Sequence, residues 1–172
     1  MPPRSDQPTE RRTLAVIVDN EPGVLARVVG LFSARGYNIE SLTVAETDHA
    51  SHQSRITIVT SGQALIVDQI KAQLDRIVSV HKGIDVTRDP AGVQRELALI
   101  KVKSEGNARI EALRMADIFR AKVIDTTLVS LIFELTGASE KIDAFTDLMR
   151  PLGLVEVSRT GVLSIQRGAD AT

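Results

Sequence analysis

The 172 residues are 43% hydrophobic and 25% charged, with a net charge of −1, an ordinary balance for a globular chain of one or two domains. Near-zero charge and only 3% aromatics leave neither an electrostatic footprint for nucleic acid or anionic membrane nor a stacking platform for single strands. The absence of cysteine excludes disulfides, thiolate metal sites, iron–sulfur clusters and a cysteine nucleophile, and no apolar run reaches the roughly 20 residues that span a bilayer.

The opening MPPRSDQPTERR has no apolar signal core and reads as a polar tail over residues 1–11, so a cytoplasmic chain is expected. Thr13–Val18 is an apolar, β-branched run and predicts a buried strand. Leu25, Val28, Val29 and Phe32 recur at i, i+3, i+4 and i+7, which predicts an amphipathic helix capped by Gly36. Tyr37–Thr47 and Arg55–Thr60 read as strands around a polar Asp48–Ser54 loop. A second helix carries Val67, Ile70, Leu74 and Ile77 on one face, and Val80–Arg88 closes the half as a strand. The order is βαββαβ, the ferredoxin-like arrangement.

Asp89-Pro90-Ala91-Gly92 marks a linker over residues 89–94. The pattern then repeats: strand Leu97–Val102, helix Ala108–Arg120, strands Lys122–Thr126 and Leu128–Leu135, helix Ser139–Arg150 and strand Leu154–Ser158. Ser61-Gly62 matches Thr136-Gly137, Val67-Asp68 matches Ile142-Asp143, and Ile70 and Leu74 match Phe145 and Met149. Ile84–Arg88 matches Val155–Arg159, and Gly161–Gln166 is expected to add an edge strand to the second copy. The prediction is an α+β chain of two tandem ferredoxin-like domains, at 12–88 and 95–168, with a second tail at 169–172. Units this small bury a modest fraction of their surface and leave sheet edges open, so packing of the two copies and dimerisation are expected.

Asn20-Glu21-Pro22-Gly23 joins the first strand to the first helix. Pro22 suits a first helical turn, Gly23 lets a ligand approach the backbone, and the amides of Val24 and Leu25 are expected as free donors to a carboxylate. Helix starts attract small anions through those amides and the macrodipole. Asn20 and Asn38 can each accept from an ammonium and donate to a carboxylate. Val24, Leu25 and Ile39 offer aliphatic walls, so an amino acid with a branched apolar side chain fits best. Dipole and amide contacts worth up to ~2 kcal/mol, with roughly 1.5–3 kcal/mol for a valine-sized side chain, place binding near mM to sub-mM. Taken alone, the tetrapeptide favours a plain strand–turn–helix connection, since Pro-Gly helix starts are common.

The string EPGVLARVVGLFSARGYNIESL, within Asn20–Leu42, resembles the signature of the ACT domain, and more closely the regulatory small subunit of acetolactate synthase. RGYNIESLTVAET, AFTDLMRPLGLVEVSRTGV and IQRG extend the likeness over nearly the whole chain, with an N-terminal ACT domain and an ACT-like second domain. The resemblance implies a non-catalytic protein that activates a thiamine-diphosphate-dependent catalytic subunit and confers feedback inhibition by valine in branched-chain amino-acid synthesis. Thiamine diphosphate, Mg and FAD then belong to the catalytic partner. It also implies a homodimer through the ACT domains, with the effector between Asn20, Gly23, Val24 and Leu25 of one chain and Asn38 and Ile39 of the other. Ser104-Glu105-Gly106-Asn107 in the second domain lacks the Pro-Gly, and Arg109 and Glu111 follow in its first helical turns, so the same effector is not expected there.

His49 and His52 form an H-x-x-H pair in a polar loop, but His81 lies on another element and solvated loop histidines are expected. No Ser-His-Asp set, Walker loop or Gly-x-Gly-x-x-Gly is present. Arg11-Arg12 reads as terminal solubility charge. A free-standing ACT amino-acid sensor that controls another enzyme or a transcriptional regulator is the alternative reading, and an RNA-binding ferredoxin-like module is disfavoured by composition.

Overall fold

The computed structural model describes residues 9–88 and 92–169. The first half runs β1 (Thr9–Asp19), α1 (Val24–Ala34), β2 (Ile39–Asp48), β3 (Gln53–Gln63), α2 (Ala64–Leu74) and β4 (Val80–Asp85), followed by a 3-10 turn at Val86–Arg88. The second half runs β5 (Val93–Lys103), α3 (Gly106–Phe119), β6 (Lys122–Thr126), β7 (Ser130–Gly137), α4 (Ser139–Met149), β8 (Leu154–Arg159) and β9 (Leu163–Ile165). Each half is an antiparallel sheet with two helices, in strand orders β2-β3-β1-β4 and β6-β7-β5-β8, and β9 pairs with β5. These are the two tandem ferredoxin-like units that the sequence predicts; the second compact unit is Gln94–Leu163, and the described residues from Ser164 onward group with the first, short of the expected boundary at 168. Part of the expected linker, residues 89–91, and the termini 1–8 and 170–172 lie outside the described residues.

β1 starts at Thr9, ahead of the expected end of the tail, because Thr9–Arg12 pair with β3 from Gln63 to Thr60. It is the central strand between β3 and β4. Leu14, Val16 and Val18 enter the core with the helices, while Thr13 and Ala15 on the opposite face are also buried. Burial on both faces explains the continuous apolar run in place of alternation. The helical face of α1 is Val24, Val28 and Phe32, one residue round from the expected stripe, and Leu25 is 41% exposed. In α2 and α4 the repeat is exact in space: Val67, Ile70 and Leu74, and Ile142, Phe145 and Met149, are all buried.

The strand at the end of each repeat aligns differently from its letters. Both central strands carry a register shift at the same place, between Ile17 and Val18 and between Lys101 and Val102. Anchored there, Val80 corresponds to Leu154, Lys82 to Glu156 and Asp85 to Arg159, three residues out from the letter match of Ile84–Arg88 with Val155–Arg159. The correct register exposes an ion pair with its polarity exchanged. In the first unit Arg12 on β1 meets Asp85 on β4 at 3.0 Å and also pairs with Glu10. In the second unit Glu96 on β5 meets Arg159 on β8 at 2.7 Å, with Ser139 Oγ donating to the same carboxylate at 3.0 Å. Arg12 is therefore a nearly buried partner in the sheet, and the reading of it as terminal solubility charge is corrected. Arg159 and then Ser139 hold the Glu96 carboxyl below the usual carboxylate range against the opposing effect of burial.

Candidate functional site

The connection from β1 to α1 is built from backbone. The amide of Val24 donates to the carbonyl of Glu21 at 3.3 Å, and Gly23 has φ +87° and ψ −7°. Those values, with Pro22 one position earlier, define a type II turn over Glu21–Val24 whose third position favours glycine. Pro22 thus precedes the helix and does not occupy its first turn, and Gly23 is the N-cap. The Val24 amide is engaged in the turn, and its side chain is only 2% exposed, packed in the core. Of the expected donors and walls on this loop, Leu25 is the available one. Helix geometry leaves the amides of Leu25 and Ala26 without intrahelical acceptors, since the first intrahelical bond is Arg27 N–H to Gly23 O at 3.0 Å.

Asn20 is held from both sides. Its amide donates to the His52 carbonyl at 2.7 Å, and the Glu21 amide folds back onto the Asp19 carbonyl at 3.0 Å. Asn20 is exposed, on a turn tied by these two backbone bonds. The chemistry on offer is a small-carboxylate cradle with an adjacent Asn, beside the aliphatic side chain of Leu25.

Asn38 and Ile39 follow the C-terminus of α1. There Gly36 at φ +68° donates to Ser33 O and Tyr37 donates to Phe32 O, while the Tyr37 and Phe32 rings meet edge-on at 6.4 Å. This is a complete Schellman motif with its apolar contact. The Asn38 carbonyl accepts from Thr60 Oγ1 at 2.6 Å. Next to Ile39, Glu40 takes Arg11 Nε at 2.7 Å and the Ser61 hydroxyl. Ser61 first, and then Arg11, hold the Glu40 carboxyl below the usual range. Arg11, Glu40, Thr60 and Ser61 fix the Asn38–Ile39 segment, yet none sits near it in sequence except Glu40.

Within one chain the two asparagines are not brought together. Ile39 pairs with Thr60, which pairs with Arg12, whereas Asn20 follows Asp19 at the other end of β1. Eight residues of strand separate the two levels, about 26 Å at ~3.3 Å per residue. β2 is also the edge of its sheet. An antiparallel pairing of two β2 edges about a two-fold axis would bring Asn38 of one chain to the end that carries Asn20 of the other.

The second unit builds its equivalent loop differently. Ser104 occupies the place of Asn20, and its amide donates to the Val129 carbonyl at 3.0 Å as Asn20 does to His52. Arg109 stands where Leu25 does and reaches over the adjacent hairpin to Thr126 Oγ1 at 2.7 Å and the Ser130 carbonyl at 3.4 Å. The guanidinium thus stands where the first unit presents the aliphatic Leu25. A shallow cleft on this unit's sheet, lined by Leu99, Lys101, Ile132, Glu156 and Ser158, already has its charges paired, Lys101 with Glu156 at 2.8 Å. His49 and His52 are both exposed and flank Glu46 at 2.8 and 3.8 Å, and among the described residues no three such groups converge as a metal site.

Two family models cover both units: one described as AHAS small subunit-like ACT domain matches residues 14–82, and one described as small subunit of acetolactate synthase matches residues 95–168. The chain is 44% identical over 158 residues to a probable acetolactate synthase small subunit of Archaeoglobus fulgidus, covering 92% of this chain and 98% of that one. It is 43% identical over 159 residues to the acetolactate synthase small subunit of Haemophilus influenzae, covering 92% and 96% respectively. Among solved structures, the acetolactate synthase small subunit of Thermotoga maritima superposes with a TM-score of 0.84 at 34% identity, covering 94% of this chain and 99% of that one.

Proposed function

Because this chain belongs to the acetolactate synthase small-subunit family, we propose that it activates a thiamine-diphosphate-dependent catalytic subunit and makes it subject to feedback by valine. The substrates are handled by the catalytic partner, which carries thiamine diphosphate, Mg and FAD, and the pair works in the cytoplasm. Valine binds between two copies of this chain. Its carboxylate meets the free amides at the start of α1, and Asn20 with the partner's Asn38 holds the charged head. Leu25 and Ile39 flank the isopropyl group, and Gly23 keeps the approach open.

The observation that carries this reading is the placement of Asn20 and Asn38 at opposite ends of one sheet whose edge strand is β2. Two halves that are incomplete alone become complementary when two edges pair, so ligand and dimer are linked. A ligand that binds only the dimer stabilises it by mass action. The effector then shifts the catalytic subunit by its differential affinity for two states of the assembly.

Reconstitution tests the reading. Catalytic subunit assayed with increasing amounts of this chain should gain activity, and added valine should reverse the gain. Unchanged activity on addition of the chain, or activation that no branched-chain amino acid reverses, would count against it. The other reading, a free-standing sensor, is decided by co-purification with an enzyme that lacks thiamine diphosphate.

A further inference from the structure

We infer that Glu40 is a positioning residue for the effector site: clamped by Arg11 and Ser61, it fixes a β-bulge that sets how Asn38 and Ile39 are presented. The inference rests on the reading of Asn38 and Ile39 as one half of that site. In the β2–β3 ladder Ile39 stands opposite Thr60 and Ser41 opposite Val59, so Glu40 is an extra residue with no counterpart on β3. One extra residue in a strand is a β-bulge, and it inverts the alternation of side chains between the two stretches it joins. The core records that inversion. Ile39 and Leu42 both pack against the cluster under the helices, although their odd spacing in a regular strand would put them on opposite faces.

The bulged residue is held from two strands. Arg11 and Ser61 are direct partners in the β1–β3 ladder, on the face away from the helices. Arg11 Nε donates to one oxygen of the Glu40 carboxylate at 2.7 Å, and the Ser61 hydroxyl donates to the other. One side chain from the edge strand thus reaches across β3 to the central strand. Arg11 and Glu40 keep 45% and 31% of their side chains exposed, so the pair adds little to overall stability and acts on register. Without the clamp β2 can slip by one residue into a regular ladder, which turns the slipped side chains to the other face. Ile39 then leaves the core and Asn38 moves about 3.3 Å along the edge. The second unit supplies a contrast. Gly137 corresponds there to Thr60, since they stand opposite the matching positions Glu96 and Arg12 of the central strands. β6 begins opposite Glu134, three residues short of that level, and has no residue in the place of Ile39. Clamp and effector arm occur together in one unit and are missing together from the other.

Calorimetric titration of valine into the full chain reads the effect, and nuclear Overhauser contacts across the β2–β3 ladder read the register. Glu40→Ala should bind valine about tenfold more weakly and Arg11→Ala about threefold, with melting temperatures near that of the wild type. In Glu40→Ala a second set of contacts should place position 40 opposite Val59, where the wild type has Ser41. The exchange Arg11→Glu with Glu40→Arg rebuilds the pair with its polarity reversed and should bind within about twofold of the wild type. Wild-type affinity in Glu40→Ala overturns the inference and leaves the effector reading standing. An exchange variant as weak as Glu40→Ala also overturns it, because the carboxylate then serves valine directly and not the register. Failure of valine, leucine and isoleucine to bind the wild type overturns the effector reading itself, and the inference with it.

Discussion

Gly23 is the position at which the effector reading is most exposed to test. Its φ of +87° is left-handed, and a Cβ built there meets nothing within 4 Å. The penalty for a side chain is therefore conformational and not steric, about 1–2 kcal/mol for an ordinary residue and less for Asn or Asp, which enter this region more readily. Over glycine an Asp or Asn at an N-cap gains only about a few tenths of a kcal/mol, so Gly23→Asp and Gly23→Asn should both fold, each at a cost of about 1 kcal/mol. They differ in charge. An Asp carboxylate about 4 Å from the ligand carboxylate opposes binding by about 1 kcal/mol in fully solvated surroundings and about 4 kcal/mol at an effective dielectric of ~20. That corresponds to affinity lowered from about fivefold to about a thousandfold. Gly23→Asn carries the bulk alone and should lose about tenfold or less. Valine inhibition of the reconstituted enzyme, alongside melts of the isolated chain, separates the cases. Gly23→Asp with a native melt and an unaltered valine response would refute the placement of the carboxylate at this helix start.

Asn38→Ala should weaken valine binding by about tenfold or more with no change in melting, because the carbonyl of Asn38 makes its bond to Thr60 and not the side-chain amide; calorimetry and a melt on the same sample check both halves. Gly153→Ala should cost ~3 kcal/mol or more and visibly lower the melting temperature, since its Cβ would stand 2.0 Å from the Lys103 carbonyl oxygen at φ +101°. Arg12→Glu faces Asp85 and Glu10 with a third acid and should lose about 3–5 kcal/mol, and adding Asp85→Arg should restore most of it in a double-mutant cycle by denaturant unfolding. The depressed Glu96 carboxyl makes a signed prediction: its stabilisation is fully present above the unfolded value of about 4.3 and is lost as pH falls through the lower folded value. Glu96→Gln should therefore cost about 2 kcal/mol near neutrality and flatten stability against pH below ~5, as read by acid unfolding.

Local periodicity and end signals determined much of this protein. Gly36 announced its Schellman motif. Val67, Ile70 and Leu74 announced the buried face of α2, and the matching Ile142, Phe145 and Met149 announced a second copy of the unit. Each depends on contacts within one or two helical turns, where spacing and geometry are the same thing. Pro22-Gly23 marked the site but not its form, because the dipeptide suits a first helical turn and a type II turn equally; only the bond from Val24 to Glu21 chose the second. The stripe on α1 was legible to within one residue, and the rotation that buries Val24 and exposes Leu25 came from packing against the sheet.

What the tertiary structure alone decided lies in the pairing of strands. A slip of three residues in β4 left its letters plausible, since Val80–Arg88 repeats apolar and polar types closely enough for more than one match. The bulges at Ile17 and Lys101 set the register, and with it the exchanged pairs Arg12–Asp85 and Glu96–Arg159. Asp19, Ser79 and His81 meet across 60 residues of chain, and Asn38 stands a sheet's length from Asn20. A sequence records which side chains are present and how they repeat. Register, rotation and the closing of long loops are settled by the sum of many weak contacts, and no short stretch of chain contains that sum.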